Sequence, residues 1–321
     1  MRESLRHKRT GVLLLGVALL AGCTDAPDRT DTSRPSTSRP STTSPPTAPP
    51  AAGSTAVPVQ VDPDRAAAPF DEPRQAVVPQ GWTLSVWART DRPRLAAWTP
   101  DGDLLVSVPS AGQVLRFAPT ADGAPEESVL LDGLDEPHGL AFAGSTLYVA
   151  ESDQIDAYDY AAGAATAPRT VAGNLPDARS PDLRGAYSHA LKSVAVGRDG
   201  AVYFSIGSTG NVSAQHRTAD PPRATIMRVP PGGGPAAPFA TGVRNGTGLA
   251  VAPDGAVWTA NNGRDNVPFP EPGPDYGRVI GEYVDDNPPE QLARLTPGRE
   301  LGWPHCNSDS SAARSAGLPS I

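Results

Sequence analysis

Short apolar strands joined by tight polar turns recur along the chain from about residue 76 onward. Each repeat has an apolar strand, an Asp-Gly or Gly-Ser turn, a second apolar strand and a few small polar residues. An Asp-Gly pair between two alternating apolar runs is a strong signal for a β-hairpin. Four hairpins are therefore predicted, in the segments LAAWTPDGDLLVSVPS (95–110), GLAFAGSTLYVAES (139–152), SVAVGRDGAVYFSIGS (193–208) and GLAVAPDGAVWTANNG (248–263).

The spacing of these hairpins predicts the fold class. Their turns are roughly 42 to 56 residues apart, and a repeat of this length built from hairpins is typical of β-propeller blades. Outer strands follow the hairpins, as in QVLRFAP (113–119), QIDAYDY (154–160) and TIMRVPP (225–231). No amphipathic helix pattern stands out in the sequence. We therefore predict an all-β chain whose residues 76–306 form β-propeller blades, with a β-sandwich as the alternative.

The first 22 residues have the pattern of a secretory signal peptide. Basic residues precede an apolar run from Gly11 to Leu20, which is too short to span a bilayer. The run ends Leu20-Ala21-Gly22-Cys23, which resembles the bacterial lipobox and implies cleavage before Cys23 and lipidation of its sulfur. The alternative is an ordinary signal peptide. We expect an exported protein that a lipid anchor alone holds on the extracytoplasmic side of the membrane.

Composition distinguishes a tether from the folded part of the chain. The sequence contains 37 Pro and 32 Gly, and residues 23–75 are rich in Ser, Thr, Pro and Ala. Such a segment buries too little apolar surface to offset its ordering entropy, so we predict a disordered tether there. Residues 307–321 show no strand alternation and are predicted to be irregular. The net charge of −8, without a basic patch, argues against nucleic acid as a partner.

Polar residues precede the predicted inner strands at matching positions. His189 lies ten residues before Asp199, and Arg244 lies ten residues before Asp254; both aspartates open an Asp-Gly turn. The inner strands of a propeller line its central channel, so the residues just before them converge on one rim. The remaining polar residues at this rim are Arg94, His138, Lys192 and Asn245.

An imidazole among cations suggests proton chemistry on an anionic ligand. The match between His189 and Arg244 supports a functional role for both residues. The alternative for His138 is a structural hydrogen bond to a neighbouring loop carbonyl. Lys192 also has a structural alternative. It is the only lysine after Lys8, and the position of a single lysine can be a coincidence.

Over about 185–306 the chain resembles the glucose/sorbosone dehydrogenase family, the soluble quinoprotein sugar dehydrogenases. The resemblance is carried by SHALKSVAVGRDGAVYFSIGSTGN, RATIMRV, ATGVRNGTGLAV and DDNPPEQLARLTPGRELGWPHC, and more weakly over 76–160 by PHGLAF and LYVAE. It implies a six-bladed β-propeller that holds pyrroloquinoline quinone (PQQ), often with calcium. It also implies oxidation of an aldose or related sugar, of the sorbosone type, by hydride transfer to the quinone. The electron acceptor is left open.

The resemblance also implies roles for individual residues. His189 matches the catalytic base, which takes the hydroxyl proton from the anomeric carbon. Arg244 and Asn245 match the residues that contact the quinone carbonyls, where a guanidinium stabilises the negative charge that develops. Lys192 is assigned to the cofactor as a further rim cation.

A second group of implied residues follows the last predicted hairpin. Asn262 falls where the family has a polar residue near the sugar. The backbone carbonyls of Gly263 and Arg264 match those that hold calcium, which prefers oxygen ligands. Glu290 falls near an acidic position of the family.

The chain departs from the family in two places. Several members pair the catalytic histidine with an aspartate, and the matching residue here is Ser208. Only 15 residues follow Cys306, whereas the family has about two more blades. We therefore expect a C-terminally truncated propeller of four blades in an open arc, with closure of four blades into a ring as the alternative.

Three functions are consistent with the sequence. The first is a PQQ-dependent sugar dehydrogenase, active or inactivated by truncation. The second is a non-catalytic propeller that binds ligands at the cell surface. The third is a propeller hydrolase of the lactonase type, which needs Glu, Asn and Asp metal ligands converging in the channel.

Overall fold

The computed structural model describes residues 53–121, 123–180, 183, 187–213 and 218–308. The predicted signal peptide, Cys23 and the tether up to residue 52 lie outside these residues. The same is true of the predicted irregular tail from residue 309 onward.

A small sheet, which we call the N-terminal sheet, precedes the blades. Strand β1 (Ser54–Gln60) pairs antiparallel with β2 (Gln75–Pro79) and parallel with β3 (Leu84–Ser85). A short 3₁₀ turn, Pro63–Arg65, follows β1. The loop after it is held by the Arg89 guanidinium, which donates to the carbonyl oxygen of Ala68 at 2.6 Å.

The N-terminal sheet corrects the predicted extent of the tether. Residues 54–60 and 75 belong to strands, so a disordered segment reaching residue 75 is wrong for that part of the chain. Side chains of β1 alternate between partly buried and exposed along Ala56 to Gln60, as a half-buried strand requires. The high proline content of the surrounding residues conceals this local alternation in the sequence.

Four antiparallel sheets follow the N-terminal sheet, one for each predicted hairpin, and we number them blades 1 to 4. Blade 1 comprises β4 (Ala96–Trp98), β5 (Leu104–Val108), β6 (Gln113–Ala118) and β7 (Glu126–Leu131), with a 3₁₀ turn at Pro109–Ala111. Blade 2 comprises β8 (Leu140–Ala143), β9 (Thr146–Ala150), β10 (Ile155–Ala161) and β11 (Ala164–Ala172). Blade 3 comprises β12 (Val194–Val196), β13 (Val202–Ile206), β14 (Thr225–Val229) and β15 (Ala237–Thr241).

Blade 4 is interrupted by a long connection that contains the one α-helix of the described residues. Its strands are β16 (Gly246–Val251), β17 (Val257–Asn261) and β18 (Gln291–Leu295), and helix α1 (Gly281–Asp286) lies between β17 and β18. Strand β19 (Arg299–Glu300) then pairs in parallel with β15 at the outer edge of blade 3. Within the described residues, no helix is long and apolar enough to cross a membrane.

The hairpin turns have the backbone geometry that the sequence predicts. Gly102, Gly200 and Gly255 have φ values of 96°, 84° and 84°. This left-handed region is accessible to glycine at little steric cost. The Asp-Gly hairpins of blades 1, 3 and 4 are therefore confirmed.

Apolar side chains from adjacent blades meet in three cores. The core between blades 1 and 2 contains Leu105, Val114, Leu147, Val149 and Tyr158. The core between blades 2 and 3 contains Ala150, Ile155, Val194, Phe204 and Met227. The core between blades 3 and 4 contains Tyr203, Ile226, Phe239, Val257 and Leu295.

The inner strands of the blades contact one another in sequence order. Strand β4 contacts β8, β8 contacts β12, and β12 contacts β16. The middle inner strands β8 and β12 have no exposed residue, whereas β4 and β16 at the two ends each contain exposed residues. The described residues thus form a series of blades in which blades 2 and 3 lie inside.

The backbones of blades 2 and 3 approach closely at Gly139, just before β8. A Cβ atom at Gly139 would lie 2.6 Å from the backbone nitrogen of Val194 and 2.9 Å from the carbonyl oxygen of Lys192. Backbone atoms cannot move aside as a flexible side chain can. We expect Gly139→Ala to lower the free energy of unfolding by about 1–3 kcal/mol, measured by chemical denaturation.

A matched glycine serves as the control for this prediction. Gly281 at the start of α1 has no atom within 4 Å of a built Cβ and has no positive φ. Gly281→Ala should change stability by less than about 0.5 kcal/mol. Equal effects of the two substitutions would contradict the close approach at Gly139.

Candidate functional site

His189 lies in the irregular segment before β12, beside the end of β13. Its Nδ1 is 2.8 Å from the carbonyl oxygen of Ser208 and 2.9 Å from the Ser208 hydroxyl. A carbonyl oxygen can only accept, so Nδ1 carries a proton, and in the neutral ring Nε2 is the basic nitrogen. The hydroxyl of Ser208 donates to the carbonyl of Gly210 and thus also accepts from Nδ1. Ser208 therefore orients the ring.

Arg244 lies on the segment between β15 and β16 and is buried. Its Nη2 donates to the side-chain oxygen of Asn211 at 2.6 Å, and its Nη1 is 3.4 Å from the carbonyl oxygen of Asn262. Its Nε is buried without a hydrogen-bond acceptor among the described residues. Burial lowers the pKa of the Arg244 guanidinium, yet an arginine keeps its proton in proteins. A buried cationic donor thus remains for a ligand.

Two asparagines lie beside Arg244. The Asn245 amide nitrogen is 3.4 Å from the side-chain oxygen of Asn262, and the Thr247 hydroxyl donates to the same oxygen at 3.2 Å. The backbone N–H of Asn262 donates to the carbonyl oxygen of Asn245 at 3.0 Å. The start of β16 and the end of β17 thereby hold both side chains in one polar group with Arg244.

Ser208 joins this polar group to His189. Its backbone N–H donates to the carbonyl oxygen of Arg244 at 2.8 Å, while its own carbonyl accepts from the His189 ring. The structure therefore brings together four of the residues that the sequence singles out: His189, Arg244, Asn245 and Asn262. We call these four residues the rim cluster.

Gly263 and Arg264 follow the rim cluster directly along the chain. The backbone N–H of Gly263 donates to a carboxylate oxygen of Glu290 at 2.7 Å, so Glu290 is close to the predicted calcium position. The Arg264 Nε donates to the Asn266 side chain at 2.9 Å. Burial lowers the pKa of the Arg264 guanidinium, and Asp265 opposes that shift.

Lys192 does not join the rim cluster. Its side chain is 0% exposed, and its Nζ donates to the carbonyl oxygens of Ser152, Pro176 and Ala190, the last two at 2.8 Å. The prediction that Lys192 contacts a cofactor is therefore wrong. Sequence position locates its Cα before an inner strand, but the long side chain points into the protein between blades 2 and 3.

His138 has the structural role that the sequence left open. It is buried, and its Nδ1 is 3.1 Å from the carbonyl oxygen of Lys192. Burial lowers the pKa of the His138 imidazole, although the bond to Lys192 opposes that shift. The ring thus helps to connect blades 2 and 3. The rim residue Arg94 is exposed.

A group of carboxylates that sequence reasoning missed lies at the loops of blade 2. Oxygens of Asp135, Asp153 and Asp177 all lie within 4.8 Å of one another. The Arg179 guanidinium contacts all three; its Nε is 2.9 Å from Asp177 and its Nη2 is 3.7 Å from Asp153. The three aspartates come from separate loops, so no sequence motif reveals their convergence.

Asn211 and Trp303 were also missed as parts of the site. Asn211 accepts from Arg244 and from the backbone N–H of Asp265 at 3.2 Å. The Trp303 indole N–H donates to the Asn211 carbonyl oxygen at 2.8 Å. The segment after β19 thus supports the loop after β13, a contact between residues 92 positions apart.

A family comparison decides the classification of the chain. The family model described as TrAA12-like matches residues 76–314, which include every blade and the whole rim cluster. The chain belongs to the TrAA12-like family. The predicted resemblance to quinoprotein sugar dehydrogenases is thereby confirmed at the level of the family. No curated protein sequence is matched.

Solved structures with the same fold accompany the TrAA12-like assignment. The holo form of a pyranose dehydrogenase PQQ domain from Coprinopsis cinerea is 21% identical over 71% of this chain, with a TM-score of 0.58. The calcium structure of a carbohydrate-active enzyme of family AA12 from Trichoderma reesei is 20% identical over 84% of this chain, with a TM-score of 0.58. The predicted all-β propeller fold is therefore confirmed.

The TrAA12-like chain spans less than two thirds of the length of these solved structures. It covers 57% of the Coprinopsis cinerea domain and 62% of the Trichoderma reesei protein. The rim cluster lies within the shared family region.

Proposed function

We propose that this TrAA12-like chain contributes the proton-accepting side of a PQQ-dependent site that oxidises an aldose or related sugar. The observation that carries the proposal is the link from His189 through Ser208 to Arg244. It puts an imidazole and a buried cationic donor into one hydrogen-bonded group. Proton abstraction beside a site that stabilises negative charge is the chemistry that removing a hydride from a sugar alcohol requires.

The donor set fits PQQ. The buried Nε of Arg244 has no acceptor among the described residues, and leaving such a donor unbonded costs about 1–3 kcal/mol. A quinone carbonyl oxygen would accept from it, with the Asn245 amide as the neighbouring donor. When bound, PQQ supplies an electron-accepting carbonyl that takes the hydride.

His189 moves the proton in this mechanism. Its basic Nε2 takes the proton of the hydroxyl on the sugar carbon that is oxidised. The ring then becomes an imidazolium whose Nδ1–H stays bonded to the Ser208 carbonyl. That bond strengthens as the ring becomes charged. Ser208 thus replaces an aspartate by orienting the ring and by stabilising its positive charge with dipoles.

Asn262 completes the substrate side in this proposal. Its amide lies within the group formed with Asn245 and Thr247, which fixes its orientation toward the sugar hydroxyls. The carbonyl oxygens of Gly263 and Arg264 would hold calcium. The Glu290 carboxylate beside Gly263 adds an acidic oxygen there, which suits a hard cation. The sugar would be presented outside the cell, because we propose export and anchoring through Cys23.

Titration of the full chain with PQQ and calcium tests the proposal. We expect saturable binding, followed by absorbance, and a higher melting temperature in the presence of PQQ. Addition of an aldose should then bleach the quinone absorbance. A folded chain that binds no PQQ would instead favour a non-catalytic binding propeller, and metal-dependent hydrolysis of a lactone would favour a hydrolase.

Arg244→Gln should weaken PQQ binding by about 10- to 100-fold, because a hydrogen bond to a charged group contributes about 1.5–3 kcal/mol. Isothermal titration calorimetry measures this change. Arg299→Gln is the matched control, since Arg299 is exposed in β19, and it should leave the affinity unchanged. Equal affinities of wild type and Arg244→Gln would remove Arg244 from the site.

A further inference from the structure

Lys192 is an unusual buried cation. Its side chain is fully buried, and lysine is almost never fully buried unless it is paired. Its three ammonium hydrogens face three carbonyl oxygens, from Ser152, Pro176 and Ala190. Ser152 and Pro176 belong to blade 2 loops, whereas Ala190 is the residue next to His189. One side chain therefore joins three separate segments.

The backbone of Lys192 makes a second connection to blade 2. Its carbonyl oxygen accepts from the backbone N–H of Gly139 at 3.0 Å and lies 3.1 Å from Nδ1 of His138. Both ends of the residue are thus fixed to the same blade. His189 lies between Tyr187 and Lys192 along the chain.

The segment around His189 also has apolar and backbone supports, and Tyr187 and Ala190 belong to a small buried cluster with Leu183. It contains no strand until β12 begins at Val194. The Tyr187 hydroxyl donates to the Gly207 carbonyl at 2.9 Å, and the Ser188 N–H donates to the Thr209 carbonyl at 3.2 Å. These bonds attach the segment to the end of β13 in blade 3. On the blade 2 side, the Lys192 ammonium supplies the bond to Ala190.

We propose that Lys192 is a positioning residue that holds His189 against Ser208 by fixing the adjacent Ala190 carbonyl to blade 2. This inference rests on the proposed function for its effect on turnover. Its effect on the His189 ring does not depend on any bound cofactor.

The charges around Lys192 are consistent with an ammonium in this role. Burial lowers the pKa of Lys192 to about 7, and Asp177, Asp153, Asp135 and Glu136 oppose that shift. The Tyr187 ring faces the ammonium, with Nζ 5.5 Å from its centroid, and Arg179 neutralises part of the aspartate charge. Three carbonyl acceptors match the three donors of the charged form, whereas a neutral amine offers only two.

Three substitutions distinguish the positioning role of Lys192 from the mere filling of space by its side chain. Lys192→Arg keeps a cation with several donors, Lys192→Gln keeps two donors without charge, and Lys192→Met keeps only the apolar stem. Each full-length variant is examined without cofactor by long-range ¹H–¹⁵N correlation spectra of the His189 ring. These spectra report which ring nitrogen carries the proton.

We expect the wild type and Lys192→Arg to show one Nδ1–H tautomer of His189. Lys192→Gln and Lys192→Met should show a mixture of tautomers, because the ring no longer lies at a fixed distance from the Ser208 carbonyl. In turnover with PQQ and an aldose, kcat should fall on the order of 10- to 100-fold in these two variants, with KM little changed. Lys192→Arg should restore most of kcat.

The outcomes are distinguishable from failure of the proposed function. A single Nδ1–H tautomer in a folded Lys192→Gln or Lys192→Met protein overturns the inference, whether or not the chain oxidises sugars. If Lys192→Met fails to fold, Lys192→Gln alone decides. Tautomer mixing in a chain that shows no sugar oxidation supports the positioning role and rejects only the proposed chemistry.

Discussion

Replacing His189 by alanine is expected to lower the rate of PQQ-dependent sugar oxidation by about 10²–10⁴-fold, the usual contribution of a positioned general base. The substitution removes Nε2, the atom proposed to take the sugar hydroxyl proton. It leaves Arg244 and its bond to Asn211 in place. PQQ affinity should therefore remain close to that of the wild type while turnover is lost. Reduction of an artificial dye by the full chain with PQQ, calcium and an aldose measures this effect.

The His189 substitution should be nearly neutral for the fold. The half-buried ring makes its described bonds to Ser208, and losing them leaves one carbonyl unpaired, at a cost of about 1 kcal/mol. His305→Ala is the matched control, because His305 is exposed and outside the rim cluster. It should change neither turnover nor melting temperature. Wild-type turnover in His189→Ala would remove this residue from the mechanism.

Phe204→Ala is expected to lower the free energy of unfolding by about 3–5 kcal/mol. Phe204 is 0% exposed in the core between blades 2 and 3. Its neighbours in the sheet are Val194 of β12 and Met227 of β14, so backbone pairing on both sides resists collapse around a cavity. For a chain of this size such a loss lowers the melting temperature by on the order of 10 °C. Urea denaturation followed by circular dichroism measures the loss.

An exposed aromatic residue is the control for Phe204→Ala, because its replacement by alanine also removes an aromatic ring but leaves no buried cavity. Tyr276 is 65% exposed in the connection before α1, and Tyr276→Ala should cost less than about 0.5 kcal/mol. A small effect of Phe204→Ala would mean that blades 2 and 3 do not share a packed core. It would then contradict the contact between β8 and β12.

Much of the fold could be predicted from local sequence. The Asp-Gly pairs ending at Gly102, Gly200 and Gly255 report a backbone conformation that depends on two or three residues only, and all three turns form. The fourth hairpin, around Ser145, lacks the Asp-Gly pair, yet its alternating pattern still predicts β8 and β9. The N-terminal sheet was missed because its pairing is non-local and its sequence is proline-rich.

The candidate site was only partly predictable. Equal spacing locates the Cα atoms of His189 and Arg244 at equivalent points of two blades. For these two residues, the position of the Cα atom was sufficient to predict that their side chains lie in one site. It could not show the direction of the Lys192 side chain, because a four-carbon stem can reach either the channel or the protein interior. The contact of Arg179 with three aspartates depends on the mutual placement of separate loops, about which no single loop sequence is informative.

The parallel pairing of β19 with β15 has a consequence for how the chain unfolds. Among the described strands, the main contacts between blades otherwise join each blade to the next one along the sequence. Stability would then be a sum of neighbour terms, as in a linear repeat protein. The return of β19 from blade 4 to the outer edge of blade 3 adds a connection that bypasses the inner strands. We therefore expect blades 3 and 4 to unfold as one cooperative unit, so that the amide hydrogens of both share a single slow opening event. His189 precedes the inner strand of blade 3, and Arg244 precedes the inner strand of blade 4. Both residues would then leave their native positions in the same opening event.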